Sequence, residues 1–482
     1  MKSIRKGKNQ FAPRVILKFY DHVSIPYDDD KMVKEYFLQH HIISWSQMLK
    51  KFPGISISRL FTTLEPARIS EMIEKAKNRD KSYDPPNFLT YFAIDLPDKF
   101  DRNELLNEIW KDENLEYAYK ESGPTKPPAV YAKNDRSSKW QGYLKPAPLG
   151  IDAMYAWNKP GGDGNSNVKF IDIELGWWLD HIDLPNPQIQ IISGKNFDYW
   201  SHGTGVLGII LAQDNTTGCV GITPNMINPN CAVISQARPT IGNVNSAIHT
   251  TTDEGKLVYN TSDAITDAVH HLNFGDVLLL ESQIYLNRGH SGSFFYPSEV
   301  ESAIFDAISL ATATGIIVIE AAGNGSDHGI GQNLDLFQND SSKFVLDKNN
   351  IRDFKDSGAI IVSGCTSTVP HARVPGLNFG NRIDCYAWGE NIKTTGKDNP
   401  VNPRTGYTSH FNSTSGAAAI VAGAVISIQS MREAAGKSRF SPGQMREILR
   451  NNMNGTESES ATDDIGVMPD LKKIFNNEIL GG

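Results

Sequence analysis

The run Ser413-Thr414-Ser415-Gly416-Ala417-Ala418-Ala419-Ile420-Val421-Ala422-Gly423-Ala424 most constrains this chain. Small apolar residues fill it so fully that a helix here would have no polar face. A surface helix needs such a face, so this one must be wrapped on all sides by protein. Only a large core can do that, and 482 residues suffice for two to four domains. The run also sets a hydroxyl, Ser415, at the start of a buried helix. There the free N–H groups and the positive end of the helix favour developing negative charge. A nucleophile needs that setting, although Ser and Thr also stand at helix starts simply as caps.

The 39% hydrophobic and 21% charged content fits a globular chain, and a net charge of −8 argues against nucleic acid as the main partner. The charge is uneven. Residues 1–139 hold 24 Lys/Arg and 20 Asp/Glu, whereas the rest hold 23 and 35. No run of 18 apolar residues occurs and the basic start lacks a secretory apolar segment, so a membrane is not an expected partner and the cytoplasm is the default compartment. Cys219, Cys231, Cys365 and Cys385 form no zinc pattern. Free thiols or a Cys219–Cys231 bridge both fit.

Residues 1–121 read as a small α+β domain. Strands are expected at Arg14–Tyr20, Asn87–Leu96 and Leu115–Tyr119, and helices at Met32–Gln39, Ile69–Arg79 and Arg102–Lys111. Residues 122–139, with Pro124, Pro127 and Pro128, read as a linker. From residue 140 to 482 the pattern changes. Apolar runs recur at Val168–Ile173, Ala232–Gln236, Val277–Glu281, Ile316–Ala321 and Ala359–Gly364, with helical stretches such as Glu299–Thr314 between them. Fully apolar strands alternating with helices predict an α/β domain, a doubly wound and mostly parallel sheet covered on both faces. Sites in such sheets form beyond the carboxyl ends of the strands.

Three further residues lie at such places. Asp172 ends the Val168–Ile171 run, where it either serves a site or caps a turn. His202 lies in Ser201-His202-Gly203-Thr204-Gly205, at the start of another apolar helix, with glycines that clear space around the ring. Asn324 follows Ala321-Ala322-Gly323, as a turn residue or as an amide donor to an oxyanion. Together the four suit nucleophilic catalysis. Asp172 orients the imidazole, His202 takes the proton of Ser415, and Asn324 with a backbone N–H holds the oxyanion.

On these motifs, residues 140–450 resemble a subtilisin-like serine protease. The resemblance rests on Phe170-Ile171-Asp172 with His181-Ile182-Asp183-Leu184, on His202-Gly203-Thr204-Gly205-Val206, on Ala321-Ala322-Gly323-Asn324, and on Ser413-Thr414-Ser415. It implies a serine endopeptidase acting through an acyl-enzyme on Ser415, with no required cofactor. Glu281-Ser282-Gln283 would bind substrate as an edge strand, with Ala321, Ala322 and Gly323 lining the other wall of the primary pocket. The front domain resembles a ferredoxin-like inhibitory propeptide, an intramolecular inhibitor cut near Ser138-Lys139-Trp140-Gln141. In some relatives the loop at Gln213–Cys219 binds Ca²⁺, which would place Asp183 and Asn215, and also Gln141, as oxygen ligands.

Departures are visible. Ile173 and Glu174 stand where the family has a small hydroxyl residue and Gly. Ser413 replaces a Gly, Gly416 a Met and Ala419 a Pro. A protease-like peptide-binding module without catalysis is therefore an alternative, as is a peptide ligase or macrocyclase using the same acyl-enzyme.

Overall fold

The structure is a computed structural model. It describes residues 13–27, 30–121, 141–185, 188–194, 196, 200–215, 218–233, 235–237, 257–287, 293–396 and 403–481. The expected linker at 122–139 and the cleavage point at Ser138–Trp140 lie outside the described residues. The chain divides into two compact units. One holds residues 1–123, 193–195 and 234–267, and the other holds 124–192, 196–233 and 268–482.

The first unit contains a four-stranded antiparallel sheet. Its order is Ser56–Arg59, Tyr91–Asp95, Val15–Phe19 and Leu115–Lys120. The Val15 strand is buried throughout, because it lies between two neighbours and packs on the helix Asp30–Gln39, where Phe19 meets Phe37. Its core is aromatic: Phe37 and Phe92 meet edge to face at 5.5 Å, and Phe19 packs on both. Two elements went unread in the sequence, the helix Trp45–Lys51 and the short strand Ser56–Arg59. The segment Asn87–Thr90, read as strand, is instead a capped 3₁₀ turn, with the Asn87 side chain accepting the Leu89 N–H at 3.0 Å. Within this unit Asp263 accepts N–H and hydroxyl bonds from Thr62 and Thr63, the shortest 2.8 Å.

The second unit is built on a sheet of nine described strands. Across it run Gly455–Glu457, Val467–Pro469, Cys385–Trp388, Ile360–Cys365, Ile317–Ala321, Val277–Leu280, Lys169–Glu174, Asn228–Val233 and Gln190–Ile191. All neighbours are parallel except the Gly455 edge pair. The expected α/β architecture is therefore present. The helix Ser413–Ala434 crosses this sheet and packs on the strands at 277, 317, 360 and 385 and on the helix Trp200–Leu211. It is long and apolar enough to cross a membrane, yet its apolar window is wholly buried in the fold. Beside the sheet, Arg382 is fully buried. It donates to Glu299 at 2.8 and 3.1 Å and to Asp384 at 2.9 Å. Cys219, Cys365 and Cys385 are buried free thiols; the side chain of Cys231 lies outside the described residues.

Candidate active site

The site grows from the carboxyl end of the Lys169–Glu174 strand, which lies deep in the sheet between the Val277 and Asn228 strands. Side chains two apart on a strand share a face. Asp172 and Glu174 therefore point the same way, and both are buried. Their partners differ. Asp172 Oδ2 accepts the indole N–H of Trp177 at 2.7 Å. Glu174 Oε1 accepts the Leu175 N–H at 2.7 Å, and Oε2 pairs with His202 Nδ1. The carboxyl that meets His202 is therefore Glu174, where Asp172 was expected. It stands two residues nearer the strand end and carries one more methylene, so it reaches the ring, while Trp177 occupies Asp172. Gly203 permits the approach. A Cβ there would lie 2.6 Å from Glu174 Cγ and 2.4 Å from the Gly176 carbonyl.

The Trp200–Leu211 helix carries His202 in its first turn, almost fully buried. Its ring packs on Phe411 at 5.2 Å between centroids. Nε2 forms no hydrogen bond, so the base position is open. Gly205 and Gly208 let the strand Ile392–Thr395 lie against the helix. Thr394 and Thr395 hydroxyls donate to the carbonyls of Gly205 and Thr204 at 2.7 and 2.6 Å.

Ser415 is the third residue of its helix. The N-cap is Asn412, so capping does not account for Ser415. Ser413, in place of the family's Gly, takes the left-handed conformation at φ 75°, and its buried hydroxyl has no partner. Gly416, in place of Met, leaves its room to Ile392: a Cβ would meet the Ile392 Cδ1 at 2.4 Å. Thr414 ties this helix start to Asn324, whose Oδ1 accepts both the Thr414 N–H and hydroxyl at 3.0 Å. The Asn324 amide then has a fixed orientation. Its Nδ2 and its backbone N–H both donate to Gln283 Oε1, at 2.9 and 3.1 Å. Gln283 was read as a substrate residue; here it sits on the amide donor.

The other expected substrate positions are mostly buried. Ser298 donates to the Ser282 carbonyl at 3.0 Å. The strand Gln283–Asn287 pairs on one side only, as the edge of a three-stranded sheet with Ser293–Pro297 and Gly325–Ser326. Ala321 ends its strand, the Ala322 carbonyl is held by Asn378 at 2.8 Å, and Gly323 takes φ 89° against the Phe295 carbonyl. Glu281 continues the register of Leu280 with Ile173, donating its N–H to the Ile173 carbonyl at 3.1 Å, and so lies level with Glu174. Burial first, then the charges of Asp172 and Glu174, holds its carboxyl well above the ordinary range. Burial and then Glu174 do the same to Asp172, against the pull of the Trp177 N–H.

At the suggested calcium positions the described residues make hydrogen bonds, and residues 216 and 217 of that loop lie outside the described residues. Asp183 is fully buried, and its Oδ2 accepts the Cys219 N–H at 3.0 Å. The Cys219 thiol and Tyr407 hydroxyl face the same carboxylate and are held protonated by burial and by its charge. Asn215 Nδ2 donates to the Ile182 carbonyl at 3.4 Å. Gln141 is spent on Val220, accepting at 3.0 Å and donating at 2.7 Å. Among the described residues no group of three His, Cys, Asp or Glu could hold a metal.

The sequence profile of the subtilase family matches residues 193–467, more than half of the chain. The chain belongs to the subtilase family. The matched span begins after Asp172 and Glu174. Over 188 residues the chain is 30% identical to subtilisin DY of Bacillus licheniformis, covering 38% of this chain and 57% of that relative. Over 92 residues it is 36% identical to an intracellular serine protease of Paenibacillus polymyxa, covering 16% of this chain and 26% of that one. The chain thus spans little more than half of the first relative and a quarter of the second. Fervidolysin from Fervidobacterium pennivorans shares the fold, at a TM-score of 0.52 and 15% identity over 98% of this chain and 62% of that structure.

Proposed function

We propose that this subtilase is a serine endopeptidase whose triad is Glu174, His202 and Ser415. The Glu174–His202 pair carries the reading, because it leaves a buried Nε2 with no partner on a helix that packs against the one whose start carries Ser415. Ser415 Oγ attacks the scissile carbonyl as His202 Nε2 takes its proton. The imidazolium is steadied by Glu174 and returns the proton to the leaving amine. Water then repeats the sequence on the acyl-enzyme. The Asn324 amide and the Ser415 N–H stabilise the oxyanion once Gln283 gives up its bond to Nδ2. An extended substrate pairs with the Gln283–Asn287 strand, the outermost of its described sheet.

A fluorophosphonate probe tests this directly. Wild-type protein is labelled and digests fluorescein-casein, while Ser415→Ala does neither. Wild-type-like digestion by Ser415→Ala refutes the assignment. The Gln283 bond to Asn324 favours a second reading, a peptide-binding module with its amide donor closed, and absence of labelling would support that one. Residues 1–121 are proposed as an inhibitory segment released by cleavage near residue 140. An active species retaining Met1, found by N-terminal sequencing, rules that out.

A further inference from the structure

Three buried carboxyl groups lie on adjacent strands: Asp172 and Glu174 on one, and Glu281 level with Glu174 directly after the next. They are not equivalent. A buried carboxylate needs donors on its oxygens. Glu174 has two, the Leu175 N–H and His202 Nδ1. Asp172 has one, from Trp177. Glu281 has no backbone or nitrogen donor: both its oxygens are buried without a hydrogen bond of normal geometry, and the Ser415 hydroxyl alone acts on it as a hydrogen-bonding group. The polar group that faces it is the Ser415 hydroxyl, and the charged groups acting on it are Asp172 and Glu174. By donor count Glu281 is the group least able to carry a charge.

We propose that Glu281 acts as a neutral carboxylic acid on the nucleophile, donating its O–H to Ser415 Oγ and so turning the serine's own proton towards His202 Nε2. This deepens the peptidase reading and rests on it. A hydroxyl has one proton to give and two lone pairs to receive with. If neutral Glu281 fills one lone pair, the single proton goes to His202, the productive direction. An ionised Glu281 can only accept. It would then compete with His202 for that proton and hold the serine in an unproductive hydrogen bond. The raised value of the Glu281 carboxyl agrees with the donor count, and its titration would act as an alkaline off-switch on Ser415. No proton is transferred to or from Glu281 in the reaction, so it is a positioning acid and the base remains His202.

The test is the rate of fluorophosphonate labelling of the full chain as a function of pH, for wild type, Glu281→Gln and Glu281→Ala. Wild type should lose rate at alkaline pH as Glu281 ionises. Glu281→Ala should lose about fivefold at neutral pH, the worth of one neutral hydrogen bond. Glu281→Gln restores an N–H donor that cannot ionise. It should recover most of that loss and lack the alkaline fall. Infrared spectra supply a second readout: the wild-type-minus-Glu281→Gln difference should contain a protonated-carboxyl C=O band, over and above any from Asp172, and the same difference should appear in the Ser415→Ala background. An alkaline fall unchanged in Glu281→Gln, or a difference spectrum without that band, overturns the proposal. Wild type that is never labelled at any pH removes the peptidase reading instead, and with it this role. The infrared band separates the two failures, because it is read without turnover.

Discussion

Exchanging one oxygen for an NH₂ group at Glu174 or at Asp172 should have very different consequences. Glu174 makes two bonds, to the Leu175 N–H and to His202 Nδ1. In Glu174→Gln only one acceptor oxygen remains. The Leu175 N–H is fixed by the backbone and cannot reverse. The amide oxygen therefore stays with Leu175, and the NH₂ turns to the imidazole. A donor facing Nδ1 forces the tautomer with its proton on Nε2, the atom that must receive the Ser415 proton. The base is then disabled although every atom stays in place. Loss of the corresponding carboxylate function in serine proteases lowers kcat about 10⁴-fold, equal to about 5.5 kcal/mol, and the same order is expected here. Asp172→Asn keeps an oxygen for the Trp177 indole and leaves His202 untouched, so its kcat should stay within about fivefold of wild type. Initial rates on fluorescein-casein measure both, and nitrogen NMR of the imidazole reads the tautomer. An inactive Asp172→Asn beside a nearly active Glu174→Gln would refute the assignment of Glu174 as the orienting acid.

Other perturbations follow from the same geometry. An acid whose folded value is raised binds extra proton on folding, so its contribution to stability is present below its ordinary value and is lost as pH rises towards the folded one. Glu281→Gln should therefore raise the melting temperature at about pH 8 and leave it unchanged near pH 4, by calorimetry. Ser413→Gly should stabilise the protein by about 1 kcal/mol in denaturant titration, since it relieves a left-handed serine and removes a buried unpaired hydroxyl, offset by the entropy of glycine. Arg382→Met should destabilise by about 3–5 kcal/mol, because Glu299 and Asp384 lose their shared buried cation. Chelation with EDTA should leave the melting temperature unmoved, as the Asp183 carboxylate is met by Cys219 and Tyr407.

The α/β architecture was legible because central strands such as Val277–Leu280 are apolar on both faces and stand out as runs. Ser56–Arg59 and Val467–Pro469 did not stand out. They are short, and their pairing comes from neighbours far away in sequence. His202 and Ser415 were visible as helix-start residues because small residues surround them locally. Which carboxyl group meets His202 has a tertiary origin. Asp172 and Glu174 share a face, and the choice between them depends on Trp177, which claims one, and on Gly203, which clears room for the other. No local spacing encodes that choice. The bond from Asn324 to Gln283 joins segments 41 residues apart and is likewise absent from any motif.

The Ser413–Ala434 helix has a consequence for biosynthesis. Four strands of the sheet and the helix bearing His202 rest on a segment that follows all of them in the chain. Until it leaves the ribosome, those strands have no cover on one face, and on the proposed reading the nascent chain carries a base and an acid but no nucleophile. On that reading the chain stays silent until residue 415 is made and acquires the hydroxyl only when the hollow it fills is complete. Premature termination before residue 413 should yield chaperone-bound or aggregated product with no residual proteolysis, so quality control over truncated chains comes from the order in which the parts are made.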